Sequence, residues 1–225
     1  MKKAFAAAFP LTVPVLAGYL FLGITFGFLM KTGGYPVWYP VFMSLMIYSG
    51  ALEFAALPLL SAPFDPLGAF IFAFMLSARH LFYGIALLGK YENTGFFKFP
   101  LLYLLTDETF SIAVSADAPE GVEKKHFYTA VSLLDYAYWV GGTAVGALFG
   151  QLLHFDTTGI DFALTALFIV LFLEQTKHRK SAFSGMIGLV CSAAVLFAFG
   201  SEKMVLISMG VILAVLFAAK KGLAS

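Results

Sequence analysis

Along this chain long apolar runs alternate with short polar turns. Runs of about 20 apolar residues can cross a bilayer as helices. Eight are legible, at roughly 8–30, 39–60, 67–89, 97–116, 127–153, 160–176, 182–199 and 203–219, and the sixth and eighth are the shortest. Connections such as Lys31-Thr32-Gly33-Gly34-Tyr35-Pro36 and Ser61-Ala62-Pro63-Phe64-Asp65-Pro66 carry the glycines and prolines that stop one helix and start the next. The pattern predicts an all-α, polytopic transmembrane helix bundle of about eight spans. It forms one transmembrane domain over 1–225, with no soluble domain between spans.

Composition agrees. The chain is 60% hydrophobic and 12% charged, against roughly 25% charged in soluble domains. A net charge of +1 and the lack of long like-charge runs give no basic surface for nucleic acid. The single cysteine, Cys191, excludes an intrachain disulfide and lies in an apolar segment, where it reads as a small buried hydrophobe. Met1-Lys2-Lys3 followed by alanines starts like a secretory signal. The apolar run continues to Met30, however, well past an h-region of about 7–15 residues, so a retained first helix is expected.

Cytoplasmic loops carry the excess of Lys and Arg. One side collects Lys2, Lys3, Lys124, Lys125, Lys177, Arg179, Lys180, Lys220 and Lys221; the other has Lys31, Lys90, Lys98 and Lys203. Both termini are therefore expected in the cytoplasm. An internal echo is also present, since Gly23-Ile24-Thr25-Phe26-Gly27 in the first span resembles Gly142-Thr143-Ala144-Val145-Gly146 in the fifth. A duplication (8–116 and 127–219) would give parallel repeats of four spans. The alternative is small-residue spacing that lets helices approach, and Gly142, Gly146 and Gly150 could receive either the first helix or a partner protein.

Ionisable residues inside the spans carry the candidate chemistry. Arg79 sits in the middle of Phe70–Leu88, where a cation is unfavourable by roughly 2.5–3.5 kcal/mol on insertion scales and normally pairs with an acid in the bundle interior. The available acids are Glu53, Asp107, Glu108 and Asp135. With a rise of about 1.5 Å per residue, Arg79 and Asp107 fall near the bilayer centre, Glu53 about 5 Å from it and Asp135 about 8 Å. Four ionised acids beside one arginine would repel strongly in such a space. Water, bound protons or a cation must relieve this, unless Arg79 simply locks the packing through one acid.

In the second span, Tyr48-Ser49-Gly50-Ala51-Leu52-Glu53-Phe54 with Pro58 reads either as a kink or as a break. A break exposes helix ends, tolerated only where protein or water surrounds them, and half-helix amides suit a carboxylate. His80 follows Arg79 about 100° around the helix and reads as a packing residue. His126, His154 and His178 show no ligand spacing. No metal site, phosphate-binding loop or activated nucleophile is legible, so no cofactor and no enzymatic reaction are expected.

Ala8-Phe9-Pro10 with Pro14, Gly18-Tyr19, Gly23-Ile24-Thr25-Phe26-Gly27, Ile47-Tyr48-Ser49-Gly50-Ala51-Leu52-Glu53-Phe54, Ser77-Ala78-Arg79-His80-Leu81-Phe82-Tyr83 and Leu105-Thr106-Asp107-Glu108-Thr109-Phe110 together resemble the AzlC family of branched-chain amino acid permeases. The resemblance spans nearly the whole chain. It implies a bacterial inner-membrane protein that exports branched-chain and related amino acids with a small membrane partner of the AzlD type. Many members carry glutamine where this chain has Glu53.

The expected function is a secondary transporter that expels apolar amino acids, coupled to the proton gradient. A zwitterionic substrate needs an anion for its ammonium, assigned to Asp107 or Asp135. It needs donors for its carboxylate, assigned to the amides near Ser49-Gly50 or to Arg79. Phe26, Tyr48, Phe54 and Tyr83 are candidates for the apolar wall, and Glu53, Asp107, Glu108 and Asp135 for the coupled proton. The rival from another class is a non-transporting membrane scaffold or assembly subunit.

Overall fold

The structure, a computed structural model, describes residues 1–92, 94–152 and 179–200, with 169, 172, 173, 176, 204, 207, 208, 210–212 and 214–216. The chain forms two compact units, Met1–Thr157 and Thr158–Ser225. The first contains α1 (Lys2–Thr32), α2 (Trp38–Met46), α3 (Gly50–Ser61), α4 (Pro66–Ser77), α5 (Arg79–Ala86), a 3-10 turn (Gly95–Phe97), α6 (Lys98–Tyr103), α7 (Asp107–Ser115) and α8 (Lys124–Leu152). The second contains α9 (Arg179–Phe199). Among the described residues there is no strand, as the apolar periodicity requires. Lys2–Thr32, Pro66–Ala86 and Ala182–Phe199 are long and apolar enough to cross a membrane. Most of the expected span at 160–176 and part of that at 203–219 lie outside the described residues.

α1 and α8 form the spine of the first unit, and glycine makes their approach close. A Cβ at Gly23 would stand 2.8 Å from Trp139 O, one at Gly142 would stand 3.1 Å from Leu20 O, and Cβ atoms at Gly27 and Gly146 would overlap the carbonyls of Thr143 and Ile24. Gly150 faces Lys31 in the same way. Contacts advance in the same direction along both helices, so α1 and α8 run parallel. The small-residue face of α8, open in the sequence to either neighbour, is filled by α1. Near the N-terminal ends of this pair, Ala4, Ala8, Phe127, Tyr128 and Val131 bury a core with Leu87, Tyr91, Leu101 and Leu105.

Two of the expected spans are interrupted and a third tightens. The second breaks between α2 and α3, where Tyr48 takes φ 44° and Ser49 is extended at φ −144°. A left-handed conformation costs a non-glycine residue about 1–2 kcal/mol, so the surroundings must hold it. They do so through the freed helix ends. Tyr103 OH donates to Leu45 O (2.9 Å) and Met46 O (2.8 Å), and Tyr136 OH donates to Leu45 O (2.9 Å). These hydroxyls satisfy carbonyls that the end of α2 leaves without intrahelical partners.

The third span tightens at Ala78, where α4 passes into α5 and His80 Nδ1 lies 3.0 Å from Ser77 O. Asp65 caps its start by accepting from Gly68 N at 2.9 Å, with Pro66 in the first turn. The fourth span, expected as one helix over 97–116, is instead α6 and α7 separated at Leu104–Thr106. The reason is a helix start within the apolar run. Thr106 caps α7 by accepting from Thr109 N at 3.3 Å, and Asp107 and Glu108 in the first turn complement the helix dipole.

Candidate functional site

The α2–α3 break, the start of α7 and the middles of α1 and α8 bring polar side chains together in an otherwise apolar unit. Glu53, 0% exposed, sits in the first turns of α3 and stabilises the break. Its Oε2 accepts from Ser44 Oγ at 2.6 Å, and its Oε1 accepts from Trp139 Nε1 at 2.9 Å and from Ser49 N at 3.3 Å. Ser44 Oγ also lies 3.0 Å from Thr143 Oγ1. Both carboxylate oxygens are therefore occupied, and the acid ties α2, α3 and α8 together. Gly50 is required beside it, since a Cβ there would come within 2.7 Å of the Trp139 ring.

Arg79 finds its acid in Asp107. Nη2 lies 3.0 Å from Oδ2, joining α5 to the start of α7, with 36% and 26% of the two side chains exposed. The contact is single: Arg79 Nε and Asp107 Oδ1 are both buried without a hydrogen-bond partner. Tyr83 belongs to this corner, stacked on Phe110 at a centroid distance of 4.3 Å and within electrostatic reach of Asp107 and Arg79.

The other two acids have no cationic partner among the described residues. Glu108 Oε2 accepts from Tyr19 OH at 2.6 Å. Asp135, 0% exposed, accepts from Thr109 Oγ1 through Oδ2 at 2.7 Å, while its Oδ1 is buried with no partner. The Tyr48 hydroxyl, at the break, is likewise buried with no partner, and the groups acting on it electrostatically are Asp135 and Glu108. Ser132 Oγ and Thr129 Oγ1, on the turns of α8 before Asp135, are unpartnered as well. Buried polar atoms left in this state are uncommon and call for an explanation such as a ligand or water.

An aromatic group flanks these atoms. Phe26 packs edge-on to Phe54 at 5.6 Å, Trp139 contacts Phe54 at 6.5 Å and Tyr19 at 5.4 Å, and Tyr48 meets Tyr136 at 4.8 Å. Three residues of the wall expected from the sequence, Phe26, Tyr48 and Phe54, thus lie in these aromatic contacts, while Tyr83 stands with the ion pair.

The predicted constellation therefore separates into three groups: Glu53 at the break, Arg79 with Asp107, and Glu108 and Asp135 linked by hydroxyls. Ser49 and Gly50 begin α3, whose first-turn amides an α-helix leaves free of intrahelical partners. Sequence reasoning passed over Tyr19, Ser44, Thr106, Thr109 and Trp139 as site residues. One signal was available, because Thr106-Asp107-Glu108 has the composition of a helix start. The others are ordinary membrane-helix residues until packing sets them beside acids. Among the described residues, no group of three or more His, Cys, Asp or Glu could hold a metal.

Comparison with known proteins gives a consistent answer. Over 98% of this chain and 87% of the relative, the sequence is 44% identical to the branched-chain amino acid transport protein AzlC of Bacillus subtilis (strain 168). It is 39% identical to an uncharacterized membrane protein of Helicobacter pylori (strain ATCC 700392 / 26695), over 98% of this chain and 97% of that one. It is 41% identical to another from Haemophilus influenzae, over 90% and 83%. No solved structure matches it. Residues 14–153 match the AzlC protein family, and with these relatives the chain belongs to that family of membrane transport proteins rather than to a family of enzymes.

Proposed function

We propose that this protein exports branched-chain or related apolar amino acids across the cytoplasmic membrane in exchange for protons, together with a small AzlD-type membrane partner and with both termini inside. The observation that carries the reading is the pair of unpartnered buried groups, Asp135 Oδ1 and Tyr48 OH, beside a helix broken within the expected second span. Arg79 compensates the charge of Asp107, which favours Asp135, without a cation among the described residues, as the anion for a substrate ammonium. With the charge of Arg79 compensated by Asp107, the substrate carboxylate goes to the first-turn amides of α3 at Gly50, Ala51 and Leu52, where a helix N-terminus favours negative charge. Phe26, Phe54 and Trp139 offer an aliphatic side chain an apolar wall.

Charge balance supports proton coupling. Arg79 offsets Asp107, and Glu108 and Asp135 have no cation in reach among the described residues. A buried carboxylate with neither a cation nor a full set of hydrogen bonds is strongly unfavourable, so Asp135 holds either a proton or a cationic ligand, and exchange between these two is antiport. The name of the Bacillus subtilis relative supports the substrate class. The glycine face of α8 is occupied by α1, so in this reading an AzlD-type partner docks on another face.

Cells loaded with a labelled leucine-containing dipeptide, hydrolysed inside, test the reading. Cells making the protein with its partner release leucine faster than cells lacking it, and collapse of the proton gradient removes the difference. Equal efflux at verified membrane abundance would instead favour a scaffold.

A further inference from the structure

Asp135 and Glu108 are joined by a continuous run of hydroxyls. Thr109 Oγ1 lies 2.7 Å from Asp135 Oδ2, Thr106 Oγ1 lies 3.1 Å from Thr109 Oγ1, Tyr19 OH lies 2.7 Å from Thr106 Oγ1, and Glu108 Oε2 lies 2.6 Å from Tyr19 OH. Tyr19, Thr106, Thr109 and Asp135 are buried, and Glu108 at the far end is only partly so. α1 contributes Tyr19, the start of α7 contributes Thr106, Glu108 and Thr109, and α8 contributes Asp135.

Each hydroxyl has one proton to donate and lone pairs to accept with; with both acids ionised both ends accept, and with one proton shared between the two acids the run has two polarities. In one, Asp135 is protonated and donates to Thr109, which donates to Thr106, then to Tyr19, then to ionised Glu108. In the other, Glu108 is protonated and every donation is reversed. Thr106 accepts from the Thr109 amide in both. We propose that this run carries the coupled proton between Asp135 and Glu108.

The proposal rests on the reading of Asp135 as the ammonium site. A substrate ammonium at Oδ1 favours ionised Asp135, whose proton passes from Oδ2 to Thr109 Oγ1. Thr109 gives its own proton to Thr106, Thr106 to Tyr19, and Tyr19 to the Glu108 carboxylate. Each O–H bond broken is replaced by one formed at the next oxygen, and no electrons are transferred. Substrate and proton thus compete for one carboxylate, while Glu108, the more open end, exchanges with the aqueous side.

The charged and titratable groups around the run are few. Tyr48 and Glu108 act on Asp135 across the break and from α7. Asp107 adjoins Glu108 and is compensated by Arg79. Among the described residues no cation contacts either terminal acid, so the shared proton is free to change ends.

The test uses the full chain with its small partner in liposomes, with labelled leucine and an entrapped pH dye. Tyr19→Phe and Thr106→Val interrupt the run, whereas Thr106→Ser keeps both the hydroxyl and the helix cap. Both interrupting variants are expected to keep leucine–leucine exchange at equal pH. They should lose leucine-linked proton flux by about 10²-fold, the lower end of what a positioned proton carrier contributes, and Thr106→Ser should retain it.

Proton flux that persists in Tyr19→Phe and Thr106→Val overturns the relay and leaves the substrate site standing. Loss of exchange along with flux in both variants also overturns it, because the hydroxyls would then be holding the site together. Wild-type protein that exchanges leucine without proton flux removes both relay and coupling. Wild-type protein without any leucine exchange removes the transport reading itself.

Discussion

Arg79 Nη2 stands 3.0 Å from Asp107 Oδ2, and this one contact divides the acids into one that is neutralised and others that are not. Because the contact is single and partly open, its energetic weight lies between that of a surface pair, about 0–1 kcal/mol, and that of a sealed one. Arg79→Ala leaves Asp107 at the start of α7 without its cation and is expected to abolish efflux while the protein still reaches the membrane. Arg79→Lys supplies one ammonium to one oxygen and should retain part of the activity. Efflux normalised to membrane abundance checks both, and near-normal efflux in the alanine variant would exclude a central role for Arg79.

Asp135→Asn keeps the shape of the carboxylate and removes its charge. The loss of a charged hydrogen bond to the substrate ammonium, about 1.5–3 kcal/mol, corresponds to roughly 10- to 100-fold weaker leucine binding. Half-saturating leucine concentration in the exchange assay reports it; unchanged saturation would move the ammonium site away from Asp135.

Glu53→Gln should leave abundance, efflux and its dependence on external pH close to wild type. Every bond made by the Glu53 carboxylate is one it accepts, from Ser44, Trp139 and Ser49 N. A glutamine can accept the last two through its oxygen and donate to Ser44, which then donates to Thr143, so the network survives with one bond reversed. Glu53→Ala leaves these donors unpaired, at about 1–3 kcal/mol for each buried group, and should lower abundance. Loss of pH dependence with intact exchange in Glu53→Gln would instead make Glu53 the proton carrier.

Gly146→Leu is expected to destabilise the protein by about 1–3 kcal/mol or more, as overpacking does. A Cβ at Gly146 already overlaps Ile24 O, whereas one at Gly18 meets nothing within 4 Å. Gly18→Leu should therefore be tolerated. Thermal stability in detergent separates the two, and equal stability would mean that the close α1–α8 approach is wrong.

Cysteines placed at Lys3 and at Ser225, in a Cys191→Ser background, should resist an impermeant thiol reagent until the cells are opened. Labelling of the C-terminal site in intact cells would remove one of the expected spans, with 160–176 the first in question.

The apolar runs alone were sufficient to make this an all-helical membrane protein, because without water a backbone must satisfy its own polar groups within each segment. They also required that Arg79 meet an acid, since an uncompensated cation in that setting is too unfavourable to persist. The Tyr48-Ser49-Gly50 irregularity was legible as a weakness in the second span. Its outcome as a break was decided elsewhere, by the Tyr103 and Tyr136 hydroxyls that satisfy the freed carbonyls of α2 and by Glu53 reaching back to Ser49. The break at Thr106 was written in local capping chemistry, yet hidden by the apolar run around it.

What sequence could not decide is which polar groups face one another, because that depends on how helices rotate and slide when they pack. The tertiary structure alone selected Asp107 for Arg79, gave the glycine face of α8 to α1, and set Tyr19 within 2.6 Å of Glu108, which lies far along the chain. The close parallel approach of α1 and α8 aligns Tyr19 with Trp139, and the start of α7 beside them brings Thr106 and Thr109 between the acids. A tyrosine and two threonines in apolar helices are unremarkable by spacing, and only packing turns them into a path between two carboxylates.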